Sequence, residues 1–430
     1  MSHATVRGHG LSYAGLLLFT LILYLRPNDF LPIGDFPVAK IVALAALTVF
    51  LFERFAYGRP LSLLPRELKY LLVFLAMMFL SVPLALEPGE ALDTILGVFI
   101  KVVLVFVLLI NVVISYARLR QVMALTVLCG GGIAVGTLRS FLAGENLVAT
   151  YRASGVGSGM FQNPNDLALA LAMLIPLAVG LALTAKAFPG KVVYLASAGV
   201  MAAATITTYS RAGFLSLIAC TTYMLGAVAR RHRQAGLWAA CAGLALVIFA
   251  PPDYGLRVLS IFDTSLDPVS SATARADVLT RSLQVAAFNP KVWAVGVGVA
   301  NFHIVSVHEL VNHNAYLEVL TEIGLPAFVL YLLFLASAFR GLRLIARSSV
   351  RRGDHEALSL TAIAIRASLV AYLVGSFFAS VAYLWYLYYP AGYAVCLRQI
   401  AAAARATNGA PHEREVPTVV ERPTPHTLRA

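Results

Sequence analysis

The chain has 430 residues, of which 59% are hydrophobic and only 13% are charged. A soluble domain carries about twice that charged fraction, so the composition excludes an ordinary soluble protein and favours an integral membrane protein. The net charge of +12 does not indicate nucleic-acid binding, because the basic residues lie in short clusters between apolar segments, as membrane topology signals do. The four cysteines lie in apolar runs without close spacing, which disfavours a disulfide framework or a metal site.

Apolar runs of about 17–25 residues, the length that crosses a bilayer as a helix, recur along the chain. They predict an all-α polytopic membrane protein with about 12 transmembrane helices and one long outer loop that contains short helices. Residues 1–402 are expected to form the transmembrane domain, and 403–430, rich in Pro, Glu, Arg and Thr, a disordered cytoplasmic tail. The expected spans are 11–25, 37–56, 68–86, 92–114, 119–141, 166–185, 190–208, 212–229, 235–251, 314–339, 362–382 and 383–400.

Lys and Arg are divided unequally between alternate loops. When the N-terminus is placed in the cytoplasm, the cytoplasmic loops receive the basic clusters, for example 230–233 and 340–352. The opposite loops have fewer basic residues and hold the acidic residues Glu87, Glu90 and Asp93. The positive-inside rule therefore predicts a multi-pass protein with both termini in the cytoplasm.

The longest connections, at 142–165 and 252–313, face outward in this topology. Loops on a rigid scaffold commonly carry binding groups, so these are the segments to search. The chain contains no Walker A sequence, which disfavours ATP-driven transport by this chain alone. The outer loops contain no DxD or HExxH sequence and no His/Asp cluster at ligand spacing, so we expect neither a metal nor another cofactor.

The sequence Asn163-Pro164-Asn165 ends the first of these loops and predicts a turn. In one interpretation Asn165 or Asp166 caps the N-terminus of the next helix and has no further role. In the other, the side-chain amides and the N-terminus of that helix face a polar ligand. The sequence leaves both interpretations open.

Arg211 lies in a tight outer hairpin between two expected spans. One interpretation is an interfacial anchor that reaches toward lipid head groups. The other is a fixed guanidinium that binds the phosphate of a lipid-linked substrate, because its planar fork binds phosphate oxygens in pairs.

Apolar residues recur at near-helical spacing between 270 and 288, with Arg275 and Arg281 among them. This pattern predicts a helix along the outer membrane surface. Anionic lipid head groups are the simpler partners for its two arginines.

His313 follows the longest outer loop and precedes the span expected at 314–339. Nearby positive charge would lower its pKa and favour the neutral imidazole that a general base requires. A structural or solvated His is the alternative, and His303 and His308 are other candidates for the same role.

Glu318 and Glu322 follow His313 and are separated from each other by one helical turn. We expect them to lie on a helix face turned away from His313. Their expected partners are cations inside the membrane, such as Lys101 or Arg366.

These features, in this order, resemble the O-antigen ligase and polymerase superfamily of bacterial envelope glycosyltransferases. The resemblance covers roughly 160–340, and each motif alone is weak, whereas their order and common sidedness are specific. At 326–327 the chain has Pro-Ala where the family often has a second Gly. The motifs are Asn163-Pro164-Asn165, Ser210-Arg211-Ala212-Gly213, Arg275, Asn289-Pro290 with Gly296-Val297-Gly298, and His313-Asn314-Ala315-Tyr316-Leu317 followed by Glu322-Ile323-Gly324.

The resemblance implies a glycan donor on undecaprenyl pyrophosphate, presented at the periplasmic face of the bacterial inner membrane. It implies that the arginines matching Arg211 and Arg275 hold the pyrophosphate. It also implies that the His matching His313 deprotonates the acceptor hydroxyl, in an inverting attack without a metal. Secondary candidates for substrate contact are Asn163, Asn165, Asn314, Arg281 and Lys101.

Three related activities differ in the acceptor that receives the glycan. A ligase transfers the glycan to lipid A–core, a polymerase to another lipid-linked repeat unit, and a protein O-oligosaccharyltransferase to a protein. We favour the ligase, because the outer loops are of modest size and the single long one lies just before the His. The competing class is a flippase for lipid-linked sugars, although the spans offer hardly any Asp or Glu for ion coupling.

Overall fold

The computed structural model of the chain describes residues 9–26, 36–58, 60–155, 161–229, 271–347 and 353–409. The predicted span 235–251, the beginning of the loop predicted at 252–313 and the tail from 410 onward lie outside the described residues.

The first half of the described chain is helical apart from one short hairpin. A 3₁₀ turn over Val82–Leu84 follows the third helix, and a π-helix over Ile95–Phe99 joins the fourth to the fifth. In the predicted outer loop, β1 (Leu147–Val148) and β2 (Arg152–Ala153) pair antiparallel, a small exception to the expected all-α fold. The helices are α1 (Gly10–Leu25), α2 (Val38–Ala56), α3 (Arg66–Ser81), α4 (Pro88–Thr94), α5 (Ile100–Val112), α6 (Tyr116–Leu142), α7 (Pro164–Thr184), α8 (Phe188–Thr207) and α9 (Arg211–Ala229).

The second half continues as helices of very different lengths. Short 3₁₀ turns cover Pro290–Trp293, Val307–Glu309 and Ser376–Phe378. The helices are α10 (Ser271–Phe288), α11 (Phe302–Val305), α12 (Ala315–Ile323), α13 (Leu325–Gly341), α14 (Arg343–Arg347), α15 (Gly353–Gly375) and α16 (Trp385–Gly409). The last helix thus passes the predicted domain boundary at 402 by seven residues.

Eight helical segments of the described chain are long and apolar enough to cross a membrane, so the protein is a helical multi-pass membrane protein. The described residues thus contain fewer membrane spans than the predicted number of about 12. One reason is that α1 has only 16 residues, and another is that α2 carries three charged side chains and α16 is rich in Tyr. The eight segments are Arg66–Leu84, Pro88–Val112, Tyr116–Leu142, Pro164–Thr184, Phe188–Thr207, Arg211–Ala229, Leu325–Arg347 and Glu356–Phe378.

The expected span 314–339 is broken into two helices at Gly324. This residue has a φ of 94°, a conformation that favours glycine. A Cβ at this position would approach the carbonyl carbon of Ala294 to 2.8 Å. Close packing against a distant segment of the chain therefore separates α12 from α13.

The core of the bundle is built around α7, which packs against α6, α8, α9 and α15. Its side chains are buried at every position from Leu167 to Ala178, as expected for a helix that is apolar on all sides. A Cβ at Gly213 would collide with the Cβ of Ala168, so glycine allows α9 to lie close to α7. This contact fixes the start of α9, where Arg211 lies.

The predicted outer loops meet at one end of the bundle. The backbone N–H of Leu86 donates to the carbonyl of Val297 at 2.9 Å. Arg152 Nε donates to the carbonyl of Thr208 at 3.0 Å. These contacts join 86–90 to 296–313 and 147–155 to 208–211. The segments 161–165 and 379–384 bind Arg152 and His313, and we call all of these segments together the outer layer.

Residues predicted to be cytoplasmic form hydrogen bonds at the opposite end. Arg54 Nη2 donates to Asn111 Oδ1 at 2.5 Å and ties α2 to α5. The buried Glu67 carboxylate of α3 accepts two hydrogen bonds from Arg398 of α16, at 2.6 and 2.7 Å. These contacts join α2 to α5 and α3 to α16 at the level of the basic residues that the sequence predicts to be cytoplasmic.

Candidate functional site

His313 ends the outer-layer segment that precedes α12 and has a left-handed conformation with a φ of 49°. Its backbone N–H donates to Ser380 Oγ at 2.9 Å. The next residue, Asn314, caps α12, because its Oδ1 accepts the N–H groups of Tyr316 and Leu317 at 3.0 and 3.1 Å. His313 is thus held directly before a helix N-terminus.

Asn312, which precedes His313, is 4% exposed, and both the oxygen and the nitrogen of its side-chain amide form hydrogen bonds. Its Oδ1 accepts from Ser282 Oγ of α10 at 2.6 Å, and its Nδ2 donates to Thr321 Oγ1 of α12 at 3.0 Å. The side chain therefore joins the helix that carries Arg275 to the helix that follows His313. The sequence did not reveal this role, because only partners distant in the chain distinguish Asn312 from other loop asparagines.

The imidazole of His313 is kept neutral by its surroundings. Burial and, to a smaller extent, the positive charge of Arg275 lower its pKa from 6.5 to about 4. Arg275 is therefore close enough to act electrostatically on the ring. A His with this pKa is neutral at neutral pH, and this is the form that can accept a proton.

Two of the glycine-containing motifs lie against each other beside this segment. The N–H groups of Val297 and Gly298 donate to the carbonyls of Thr321 and Glu322, both at 2.9 Å. Gly296 has a φ of 72°, and a Cβ there would collide with the backbone of Glu322. Glycine is therefore required where the outer layer crosses the end of α12.

The prediction that Glu318 and Glu322 pair with Lys101 or Arg366 is wrong. Neither carboxylate forms an ion pair with these cations in the described part of the chain. The Arg366 guanidinium instead lies over the ring of Phe339, 4.2 Å from its centroid. The aromatic face of Phe339 is therefore the partner of the Arg366 guanidinium in place of the expected carboxylate.

The two glutamates hold the outer layer in place. Glu318 Oε2 accepts the N–H of Ala382 at 3.1 Å. Glu322 Oε2 accepts the N–H of Ala300 at 2.8 Å and the hydroxyl of Tyr383 at 2.9 Å. Backbone amides of two separate segments thus satisfy the buried carboxylates.

A second polar cluster surrounds the start of α9. Asn165 Oδ1 accepts from Arg152 Nη2 at 2.8 Å and from Ser210 Oγ at 3.0 Å. Ser210 Oγ also accepts the N–H of Gly213 at 3.2 Å and so caps α9. Arg211, the first residue of this helix, is buried with 7% of its surface exposed. The cluster adds Arg152 to the cations expected from the sequence.

The two clusters are connected through the protein. The 3₁₀ turn Ser376–Phe378 packs against both α9 and α12. Asp166 in the first turn of α7 acts electrostatically on Glu318 of α12. The helix that begins at Arg211 and the helix that follows His313 therefore share their neighbours.

The predicted surface helix is present as α10. It carries Arg275, which is half-buried, and Arg281, whose Nε donates to the carbonyl of Val305 at 2.7 Å. Val278 and Val285 are buried, whereas Leu279 and Leu283, also on α10, are exposed by 44% and 53%. One face of α10 thus packs against the protein, and the other face exposes apolar side chains.

The remaining candidates have local partners. Asn163 Oδ1 accepts the N–H of Asn165 at 2.8 Å and caps α7. Lys101 lies on α5 and donates to the carbonyl of Gly97. The N-cap of α7 is therefore Asn163 and not Asn165 or Asp166, which the sequence suggested, and Asn314 caps α12 in the same way.

The alternative histidines differ from His313. His303 Nδ1 lies 2.9 Å from the carbonyl oxygen of Ala300, and its Nε2 lies 3.7 Å from the carboxylate of Glu90. The side chain of His308 lies outside the described residues. His303 is thus engaged within the outer layer, toward α4.

Within the ranges that the structure describes, no three His, Cys, Asp or Glu side chains lie close enough together to hold a metal ion. The positive charge near His313 comes instead from Arg275. A guanidinium can offset phosphate charge through paired hydrogen bonds.

Comparison with known proteins identifies one segment of the chain. Residues 196–332 match the family model described as O-antigen ligase. The match includes Arg211, Arg275 and His313, and it confirms the resemblance that the motifs indicated. No curated protein matches the chain.

Proposed function

We propose that this chain, which carries an O-antigen ligase domain over residues 196–332, transfers a glycan from undecaprenyl pyrophosphate to lipid A–core. The transfer takes place at the periplasmic face of the bacterial inner membrane. The observation that carries the proposal is a neutral His313 beside the cation Arg275, with its backbone held by Ser380.

In the proposed reaction the acceptor hydroxyl attacks the anomeric carbon of the donor sugar. The new bond forms between the acceptor oxygen and that carbon, while the bond from the carbon to the pyrophosphate oxygen breaks. His313 takes the proton of the hydroxyl. Arg211 and Arg275 offset the negative charge that develops on the leaving pyrophosphate, so the step as proposed uses no metal.

The ligase is favoured over a polymerase or a protein O-oligosaccharyltransferase by the arrangement of the outer loops. The long connection that ends at His313 includes α10 and the short turns that follow it. The other described outer segments are short. A flippase for the lipid-linked glycan makes no new bond and has no use for a neutral base.

The test is a transfer assay with the purified protein in proteoliposomes and a pyrophosphate-linked glycan donor. Lipid A–core and a lipid-linked repeat unit are offered separately as acceptors. We expect glycosylated lipid A–core, unaffected by EDTA, and roughly 10²-fold slower transfer by Arg211→Gln and Arg275→Gln. Arg139→Gln, an exposed arginine near the outer end of α6, is the control and keeps its activity.

Other products decide between the alternatives. Elongated lipid-linked glycan without glycosylated lipid A–core would support the polymerase. Movement of the donor across the bilayer with no new bond would support the flippase.

A further inference from the structure

We propose that a groove between α2 and α5 holds a hydrocarbon chain and a phosphate of the acceptor lipid. This inference rests on the proposed function and deepens it, since it assigns the acceptor to a phosphate-bearing lipid. The groove has a volume of about 680 Å³, and apolar side chains of α1, α2 and α5 form most of its wall. Its charged lining residues are Lys40, Asp93 and Lys101. We call it the lysine groove.

The depth of the two lysines follows from the hydrogen bond between Arg54 and Asn111 at the inner end. Lys40 precedes Arg54 by 14 residues, and Lys101 precedes Asn111 by 10. At 1.5 Å per residue these separations are about 21 and about 15 Å along the helices. In a hydrocarbon layer about 30 Å thick, the two lysines therefore lie between its middle and its outer boundary.

The wall of the groove changes its helical form beside Lys101. Residues Ile95–Phe99 form a π-helix, and Gly97 and Val98 of that turn line the groove. The ammonium of Lys101 donates to the carbonyl of Gly97, one turn nearer the outer end. π-helical turns inside helices are frequent at functional sites, and this one directs a charge outward along the groove.

Charge in the groove favours an anion. Two ammonium groups and one carboxylate line it, and in the described part of the chain neither lysine forms an ion pair. Charged side chains within a membrane are rare and usually have a functional partner. A phosphate between apolar walls is such a partner, because lysine binds phosphate as a compact point charge.

One connection between the lysine groove and the candidate site is the short segment before α16. Ser380 in that segment binds the N–H of His313, Ala382 binds Glu318, and Trp385 at its end lines the groove. Trp385 also contacts Phe19 of α1, with ring centroids 5.6 Å apart. A lipid in the groove thus lies next to the segment that holds His313.

A second connection runs through α4. The N–H of Glu87 donates to Asn301 Oδ1 at 2.8 Å, directly beside Ala300, which binds Glu322. Asp93 of the same helix lines the groove. The outer-layer segment 296–313 therefore contacts the start of α4, a helix that also lines the groove.

The acceptor is the better occupant than the donor. The proposed function already assigns the donor pyrophosphate to Arg211 and Arg275, which lie on α9 and α10. The groove is lined by α1, α2, α4, α5, the π-helix and the first residue of α16. Two lysines on separate elements thus suit the phosphate of a second lipid, which a protein acceptor lacks.

The test uses the full-length protein in phosphatidylcholine nanodiscs with two probes, lipid A–core and the same lipid after phosphatase treatment. Native mass spectrometry measures the binding. We expect the wild type to bind the phosphorylated lipid roughly tenfold more tightly. The double variant Lys40→Gln, Lys101→Gln should bind both lipids equally, whereas Lys69→Gln, on α3 outside the groove, should keep the preference.

Two further measurements complete the test. Leu104→Trp fills the groove but keeps both lysines, so it should weaken the binding of both lipids. In the transfer assay, the double variant should raise the KM for the acceptor roughly tenfold and leave the KM for the donor unchanged.

Equal binding of the two lipids by the wild type would overturn the inference, and so would a rise in the donor KM in place of the acceptor KM. A wild type that transfers no glycan to any acceptor would contradict the proposed function. The binding measurements would still decide the occupant of the groove in that case.

Discussion

Ser380 accepts the backbone N–H of His313 at 2.9 Å, across 67 residues of sequence. His313 has a left-handed backbone, which residues with a side chain rarely adopt unless their surroundings impose it. Ser380 lies in the segment before α16, beyond the residues 196–332 that match the ligase family. The position of the candidate base therefore depends on a part of the chain outside the matched domain.

Replacing Ser380 by Ala should slow transfer, because the N–H of His313 loses its partner. A net hydrogen bond of about 1 kcal/mol corresponds to a roughly fivefold lower kcat. Ser380→Thr keeps the hydroxyl and is the matched control. Steady-state kinetics with saturating donor and acceptor measure the effect, and equal kcat for Ala and wild type would show that the contact does not position His313.

The pH dependence of transfer should reflect the low pKa of His313. Because this pKa is about 4, the ring is neutral above that pH, and kcat/KM should fall only as the pH drops through about 4. Arg275→Gln removes a positive charge, so the pKa should rise and the acid limb should move to higher pH. Burial, the larger cause, remains, so the limb should stay below the ordinary value of 6.5.

Profiles of kcat/KM between about pH 3 and pH 8 measure this shift. Arg281→Gln, on the same helix, is the comparison, since Arg281 does not contribute to the shift of His313. An acid limb of Arg275→Gln at the wild-type pH would contradict the electrostatic coupling.

Asn165 is expected to support Arg211 through Ser210. In Asn165→Ala, Arg152 and Ser210 lose their common acceptor, and the start of α9 becomes less fixed. The KM for the donor should rise about three- to tenfold. Asn165→Asp retains an acceptor for both groups and should restore the wild-type KM, whereas equal KM values for Ala and wild type would exclude this role.

Gly324→Ala should destabilise the protein. The new Cβ would lie 2.8 Å from the carbonyl carbon of Ala294, and alanine does not readily adopt a φ of 94°, so the cost is roughly 1–3 kcal/mol. Gly226→Ala is the control, because a Cβ at that position of α9 meets no atom within 4 Å. Thermal unfolding in detergent should give a lower Tm for Gly324→Ala alone.

The positions of most helices could be predicted from the sequence, because a bilayer demands a long apolar run. The spans expected at 166–185 and 212–229 are observed as Pro164–Thr184 and Arg211–Ala229. The break at Gly324 was missed, although glycine followed by Pro326 is a helix-ending signal. The packing of Gly324 against Ala294, which is distant in the chain, is visible only in the fold.

The candidate residues could also be named from the sequence, but not their partners. Arg211, Arg275 and His313 were identified from order and sidedness. The acceptors and donors that hold the site, such as Asn312 and Ser380, were not, because a buried polar residue resembles any loop residue until its distant partner is known. Glu322 illustrates the same limit, because its partners are the N–H of Ala300 and the hydroxyl of Tyr383 rather than a cation.

The most direct test of the central proposal compares wild type with His313→Asn in a single-turnover transfer assay, with donor binding measured separately. Asn keeps a polar side chain of similar size and tolerates a left-handed backbone, but it cannot act as a base. We predict a loss of transfer of about 10²- to 10⁴-fold with unchanged donor affinity, whereas His303→Gln keeps the wild-type rate. Transfer by His313→Asn at the wild-type rate would contradict the assignment of His313 as the general base.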